Sequence, residues 1–170
     1  MEPEIPAPLA SLSGGDPVLD RQISRAARLV NSPISVLVTG ETGSGKEFFA
    51  KALHQSSERR HGPFVPVNCA AIPDTLIESE LFGYAPGSFS GAASKGKRGL
   101  IQEADGGTLF LDEIGDLSPK GQGDLLRVLE DGTFRMVGGA DLIRVNVRVI
   151  AATNKQLQQA VNSGKFREDR

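Results

Sequence analysis

The stretch Gly40-Glu41-Thr42-Gly43-Ser44-Gly45-Lys46-Glu47 decides the fold of this chain. It directly follows an apolar run, Ile34 to Thr39, and precedes a run of helical character, Phe48 to Ser56. A strand, a glycine-rich turn and a helix that begins with a lysine form a phosphate-binding loop, because glycines let backbone N–H groups converge on a phosphate. We therefore expect all eight residues to bind a nucleotide. Glu47 is the one departure from the general motif, which has Ser or Thr there as a Mg²⁺ ligand.

The alternative is a glycine-rich turn with an incidental lysine, and the flanking elements argue against it because both spacing and context match the motif. The rest of the composition is that of an ordinary globular domain. The chain has 170 residues, of which 39% are hydrophobic and 24% charged, with a net charge of −2. This balance provides no global attraction to nucleic acid or membrane. Cys69 is the single cysteine, so no internal disulfide can form. With no apolar stretch long enough for a bilayer and no signal peptide, we expect a cytoplasmic protein.

Further strands and helices alternate along the chain. Met1 to Gly15 has no apolar period and is typical of a linker. The pattern predicts strands at Pro63–Asn68, Gly107–Glu113 and Arg148–Asn154, and helices at Pro17–Val30, Pro73–Leu81, Gly99–Ala104, Ser118–Glu130 and Lys155–Asn162. The prolines of Pro63–Asn68 favour a strand near an edge or the start of a strand. Thr133–Val137 and Leu142–Val145 predict a hairpin, and Phe82 to Lys97 a segment without packed structure.

This alternation predicts an α/β fold with a mostly parallel sheet and right-handed crossovers. In such sheets ligands bind beyond the carboxyl ends of the strands. Three of these ends have polar groups: the phosphate-binding loop, Asp112-Glu113 and Thr153-Asn154. If the three strands are adjacent, we expect these groups to meet at one ligand.

The two acids suit phosphoryl transfer to water. Asp112, at the end of an apolar strand, suits a Walker B acid that holds Mg²⁺, and Glu113 suits the activation of a water molecule. Taken alone, the pair could equally be solvated acids at a strand end. Asn154 fits a phosphate-sensing residue by its place in the pattern, although an asparagine after a strand is more often a turn residue.

These residues resemble the AAA+ central domain of bacterial sigma-54-dependent transcriptional activators, over the chain from about Leu12 to its end. The most specific piece runs from Glu80 to Ala92 and contains Gly87-Ser88-Phe89-Ser90-Gly91-Ala92. At these last six positions the family has Gly-Ala-Phe-Thr-Gly-Ala, a loop that touches the sigma factor. The resemblance implies a P-loop NTPase (AAA+) three-layer α/β sandwich that is incomplete at its C-terminus. Residues 1–11 would be a leader and residues 12–170 the α/β part of the domain.

The resemblance also assigns further roles. Glu47 matches the family's own form of the phosphate-binding loop, which implies binding of ATP without the hydroxyl ligand. Asn68 would pair with Glu113 and link its position to the nucleotide state, unless it is an ordinary turn residue. Family members form homo-oligomeric, hexameric rings, and Arg167 matches the first arginine that reaches a neighbour's ATP.

The implied function is ATP hydrolysis, with Mg²⁺, coupled to remodelling of the sigma-54 RNA polymerase holoenzyme for transcription activation. In the family, a helical lid, a second arginine finger and a DNA-binding domain follow the position of Arg170. Contact with DNA would therefore need a DNA-binding domain that these 170 residues lack. We therefore expect weak nucleotide binding and little turnover from the 170-residue chain. Three alternatives stay open: another AAA+ machine such as a helicase loader or chelatase subunit, a truncated nucleotide-binding module without turnover, and a fragment that does not fold stably.

Overall fold

A computed structural model describes residues 27–28, 30, 36–39, 45–87, 95–113 and 117–153, and for 36–39 and 153 it describes the backbone alone. Ala27 and Arg28 are helical. The strands are β1 Val36–Thr39, β2 Phe64–Asn68, β3 Gly83–Tyr84, β4 Lys97–Arg98, β5 Thr108–Asp112, β6 Thr133–Phe134, β7 Ile143–Arg144 and β8 Arg148–Thr153. The helices are α1 Lys46–Ser56, α2 Ile77–Phe82, α3 Leu100–Glu103 and α4 Pro119–Asp131, with a 3₁₀ turn at Cys69–Ala71.

The main sheet has the strand order β1-β8-β5-β2, and every pair in it is parallel. This confirms the predicted parallel sheet. Among the described strands β2 is at an edge, as its prolines indicated. Proline has no backbone N–H to donate to a neighbouring strand, so Pro66 is tolerated at the edge of the sheet.

The sheet is buried on both faces, which makes three layers. Side chains of successive residues in a strand point to opposite faces. Leu109 and Leu111 pack with residues of α2, α3 and α4, whereas Phe110 packs with residues of α1 and with Ile150. The predicted three-layer α/β sandwich is confirmed, and the continuous apolar run of β5 reflects burial on both sides.

The ends of α4 follow from its sequence. Ser118 is the N-cap and its hydroxyl oxygen accepts a hydrogen bond from the backbone N–H of Gly121 at 3.1 Å. Pro119 occupies the first turn, where its missing N–H costs nothing. Gly132 ends the helix in the left-handed conformation, with φ 68°, which glycine adopts without steric cost.

Two expectations were wrong. The helix predicted from Pro73 begins only at Ile77, because the N–H of Leu76 donates to the carbonyl of Pro73 at 2.8 Å and closes a separate turn. The segment from Phe82 to Lys97 does have packed structure at its ends. Phe82 is buried, and β3 pairs antiparallel with β4. The hairpin predicted near residue 138 is present as the β6–β7 pair, with shorter strands than expected.

A polar cluster lies at the amino ends of β5 and β8. The imidazole of His54 hydrogen-bonds with the Thr108 hydroxyl at 2.7 Å and the Gly62 carbonyl at 3.2 Å. The guanidinium of Arg59 donates to the carbonyl oxygens of Gly107, at 3.3 Å, and of Asn146, at 3.0 Å. These bonds satisfy backbone acceptors at the edge of the sheet opposite the predicted ligand site.

Candidate nucleotide-binding site

The carboxyl ends of all four strands of the main sheet lie side by side. Asp112 of β5 is in register with Asn68 of β2 on one side and with Ala152 of β8 on the other. Thr39 of β1 is in register with Thr153 of β8. The strands that lead to the three predicted polar groups are therefore neighbours, with β8 between the strand of the phosphate-binding loop and the strand of the two acids.

The described end of the phosphate-binding loop consists of Gly45, Lys46 and Glu47. Gly45 has φ 82°, and its carbonyl accepts the N–H of Phe49 at 3.1 Å, which closes the first turn of α1. A Cβ at Gly45 would meet no atom within 4 Å, so backbone conformation rather than space calls for glycine. Lys46 is only 6% exposed, and Glu47 is exposed in the first turn of α1. Residues Gly40, Glu41, Thr42, Gly43 and Ser44 lie outside the described residues.

Asp112 presents a buried acceptor at the end of β5. Among the described residues no hydrogen-bond donor reaches its Oδ1 atom, although that atom is inaccessible to solvent. A buried carboxylate oxygen without a donor is costly, and such an atom is expected to face a ligand or cation. In the described part of the chain no group of three or more His, Cys, Asp or Glu side chains is arranged to hold a metal.

Glu113 has the one positive φ, 58°, among the described residues other than glycine. Its N–H donates to the carbonyl of Ala152 at 3.1 Å, so the ladder between β5 and β8 continues to this residue. The left-handed conformation then turns the chain out of the strand. A residue with a Cβ pays about 1–2 kcal/mol for this conformation, and such strain is concentrated at functional sites. The sequence reasoning missed this feature, because Asp-Glu after a strand does not signal it.

Asn68 caps the 3₁₀ turn at Cys69–Ala71. Its Oδ1 atom accepts the N–H of Ala70 at 3.2 Å, the contact expected of a turn residue. Pairing with a carboxylate would use the other end of the amide, the N–H₂ group, so this cap is compatible with the predicted contact to Glu113. That contact stays a prediction.

Cys69 is buried next to the two acids. Burial raises the pKa of its thiol to about 12, and the charges of Asp112 and Glu113 add to this rise. The thiol is therefore neutral at physiological pH and behaves as a small apolar side chain. Cys69 directly follows Asn68, which is in register with Asp112, so it lies beside the predicted site; the sequence did not indicate this.

The predicted sigma-factor contact belongs to the connection between β3 and β4. Gly87 is the described member of this set and has φ 66°. The remaining members, Ser88, Phe89, Ser90, Gly91 and Ala92, lie outside the described residues, as do Asn154 and Arg167. In the described part of the chain, no helix has the length and apolar character needed to cross a membrane.

Known proteins match nearly the whole chain. The family described as the sigma-54 interaction domain matches residues 12–170. An acetoin catabolism regulatory protein of Cupriavidus necator is 65% identical over 165 residues, which cover 97% of this chain and 25% of that protein. A Nif-specific regulatory protein of Azotobacter vinelandii is 53% identical over 156 residues, which cover 92% of this chain and 30% of that protein. The chain thus spans roughly a quarter to a third of the length of these relatives.

Solved structures agree. A crystal structure of NtrX from Brucella abortus in complex with ADP superposes with a TM-score of 0.81 at 37% identity, over 95% of this chain and 34% of that one. The P-loop NTPase domain of a sigma-54 transport activator from E. coli superposes with a TM-score of 0.56 at 20% identity, over 84% of this chain and 91% of that one. The second similarity supports the fold alone.

Proposed function

Since the chain belongs to the sigma-54 interaction domain family, we propose that it is the ATP-binding domain of a transcriptional regulator that couples ATP hydrolysis to remodelling of the sigma-54 RNA polymerase holoenzyme. One observation carries the nucleotide-binding part. The buried Lys46 begins α1, the helix that follows β1 and the phosphate-binding loop. Asp112 ends β5 at the same sheet edge and Glu113 follows it, with β8 between β1 and β5. A cation and two carboxylates at the carboxyl edge of a parallel sheet are the groups that phosphoryl transfer needs. The alternative of a helicase loader or chelatase subunit loses its basis with the family match.

Each residue has a distinct role in this proposal. The backbone of Gly40 to Gly45 and the ammonium of Lys46 bind the phosphates. Glu113, at the left-handed turn after β5, accepts a proton from the attacking water. Asn68 holds Glu113 in one nucleotide state through its N–H₂ group. Asn154 senses the phosphate, and Arg167 of one subunit reaches the ATP of the next in a hexameric ring.

The described residues fit a magnesium ion in one respect. The buried Oδ1 of Asp112 has no donor among the described residues, and carboxylate oxygens are the ligands that Mg²⁺ prefers. Asp112 would hold the ion directly or through water. Glu47, one residue beyond Lys46, occupies the position where the general motif has its hydroxyl ligand. When bound, Mg²⁺ would neutralise charge on the phosphates.

The relatives suggest the biological context. The proteins named above are regulatory proteins, and the sigma factor contact is assigned by resemblance to the segment Gly87 to Ala92. We propose that Phe89 in this segment contacts sigma-54 when the ring is bound to ATP, and that DNA is contacted through a separate domain of the longer relatives.

Substitution of two lysines in α1 tests nucleotide binding. Lys46→Ala should weaken binding of a fluorescent ATP analogue by roughly 10-fold or more, because a charge-assisted contact contributes about 1.5–3 kcal/mol. Lys51→Ala removes an exposed cation from the same helix and should leave the affinity unchanged. Equal affinities for the two variants would overturn the proposed site.

Hydrolysis needs a second comparison. Glu113→Gln should retain nucleotide binding and lose turnover, whereas Asp112→Asn should lose the dependence of binding on Mg²⁺. If the unmodified chain turns over ATP no faster than Glu113→Gln, the alternative of a binding module without turnover holds. Capture of sigma-54 with an ATP transition-state analogue, compared between the unmodified chain and Phe89→Ala, tests the partner.

A further inference from the structure

The N-terminus of α4 is held by a hydrogen bond to α2. The Ser118 hydroxyl donates to Oε1 of Glu78 and at the same time accepts the N–H of Gly121 at 3.1 Å. A hydroxyl has one donor and two lone pairs, so both bonds can form together. Ser118 lies five positions after Glu113 in the chain. The capping residue of α4 is thus close in sequence to the strained end of β5.

Glu78 is in the first turn of α2, and α2 runs directly into β3. This junction is packed backbone against backbone. A Cβ on Gly99 would lie 2.3 Å from the Leu81 carbonyl oxygen and 2.4 Å from the Gly83 nitrogen. The backbone of Gly99 therefore packs closely against the end of α2 and the start of β3. Through this packing, Glu78 is connected to the base of the segment between β3 and β4.

The opposite end of α4 reaches the same base. After Gly132 the chain forms β6 and then arrives at Val137, whose N–H donates to the Gly83 carbonyl at 2.9 Å. The Val137 carbonyl in turn accepts the N–H of Ala85 at 3.0 Å. The base of the β3–β4 connection is therefore attached to α4 through its N-terminus and through the segment that follows its C-terminus.

We infer that the hydrogen bond between Glu78 and Ser118 is a positioning contact that couples the acidic end of β5 to the base of the β3–β4 connection. The inference rests on the proposed function, because the role of that connection in sigma-factor contact is itself a proposal. A shift of Glu113 with nucleotide state would move the N-cap of α4, and Glu78 would transmit this movement to α2 and β3. Glu78 and Ser118 act through other residues and need not touch the nucleotide.

A double-mutant cycle on the full chain tests this coupling without nucleotide. The variants are Glu78→Ala, Ser118→Ala and their combination, and the readout is amide hydrogen exchange at Ala85 and Val137. Each single variant should speed this exchange roughly fivefold, the change expected when a hydrogen bond of ordinary net strength is lost. The double variant should add little beyond the singles. Exchange within β5 should not change, whereas a merely structural loss would raise exchange in both places.

Two controls keep the test sharp. Ser79→Ala removes a hydroxyl from the same helix, one that donates to the nearby Leu76 carbonyl at 2.9 Å, and should leave exchange at Ala85 unchanged. Ser118→Thr keeps the hydroxyl and should restore the behaviour of the unmodified chain. Additive effects of Glu78→Ala and Ser118→Ala, or no effect at Ala85 and Val137, would overturn the inference.

Adding nucleotide separates this inference from the proposed function. Exchange at Ala85 should differ between the ADP-bound chain and the chain bound to a non-hydrolysable ATP analogue, and Glu78→Ala should abolish the difference while retaining affinity. If the unmodified chain binds both nucleotides and exchange at Ala85 is the same, the coupling is refuted and the binding site stands. If it binds neither, the proposed function fails, and the cycle without nucleotide still decides whether the two helices are coupled.

Discussion

Two glycines in the first turns of α4 provide a direct test of the packing at its N-terminus. Gly121 is buried, and a Cβ there would lie 2.8 Å from Cγ and Cδ1 of Leu117 and 3.2 Å from Oε1 of Glu78. Gly123 is exposed, and a Cβ there would meet nothing within 4 Å. Both residues have ordinary helical surroundings, so replacement by alanine differs between them only in the space available.

The expected magnitudes follow from this contrast. Gly123→Ala should stabilise the fold by about 1 kcal/mol, because alanine has a higher helix propensity and restricts the unfolded chain. Gly121→Ala gains the same amount, but overpacking against Leu117 and Glu78 costs about 1–3 kcal/mol. We therefore expect Gly121→Ala to be about 2 kcal/mol less stable than Gly123→Ala. For a chain of this length the gap corresponds to about 4–8 °C in Tm.

Thermal and urea unfolding of the two variants and the unmodified chain measure this gap. A third variant, Leu117→Ala, removes the closest atoms, and in that background Gly121→Ala should lose most of its penalty because residues in contact are not additive. Stabilisation by Gly121→Ala equal to that by Gly123→Ala would refute the packing described here. A penalty that persists without the Leu117 side chain would assign the cost to Glu78 instead.

Three further predictions concern buried groups. Burial, with two cationic neighbours adding to it, lowers the pKa of His54, so the unfolded chain takes up a proton near pH 6.5 that the folded chain does not. The free energy of unfolding should therefore fall as pH drops below about 6.5 and level off below the folded-state pKa. Urea unfolding from about pH 8 to 5 measures this pH dependence, and His54→Gln should remove it. With a pKa of about 12, Cys69 should react with iodoacetamide at about pH 8 roughly 10³-fold more slowly in the folded chain than in urea. Glu113→Gln should speed the reaction of the folded chain, because it removes a negative charge that raises the pKa of the thiol. Gly107→Ala would place a Cβ 1.9 Å from the Pro63 carbonyl oxygen and should cost more than about 3 kcal/mol, whereas a soluble variant with an unchanged Tm would contradict this.

Elements with strong local signals were predicted well from the sequence. The apolar run of β5 indicated a strand buried on both faces, and the Ser118-Pro119 start and Gly132 end of α4 follow ordinary capping chemistry. The sequence indicated that the strand ends share one edge, because parallel sheets place their carboxyl ends together, but it left the order of the strands open. The structure supplies that order, in which β8 lies between β1 and β5. The assignment of Lys46 and the two acids to one nucleotide site stays a prediction, and the strand order is compatible with it.

Features set by non-local contacts were not predictable. The two-residue strands β3 and β4 owe their pairing to the close approach of Gly83 and Gly99, which no local pattern encodes. The hydrogen bond between Glu78 and Ser118 joins residues 40 positions apart. The late start of α2 depends on a turn at Pro73 that competes with the helix. The left-handed backbone of Glu113 is likewise invisible in the sequence, because the fold imposes it.

The groups at the two ends of the central strands differ in role, with stabilising hydrogen bonds at the amino end and the two acids of the proposed nucleotide site at the carboxyl end. At the amino end, Arg59 and His54 satisfy backbone carbonyls and the Thr108 hydroxyl, and Arg148 donates to the Val30 carbonyl. At the carboxyl end, Asp112 has a buried oxygen without a donor in the described part of the chain, and Glu113 has a strained backbone. Because unsatisfied and strained groups persist only where the remaining structure compensates for them, substitutions at the amino end should lower stability, whereas isosteric substitutions at the acids should alter nucleotide chemistry and leave the fold intact.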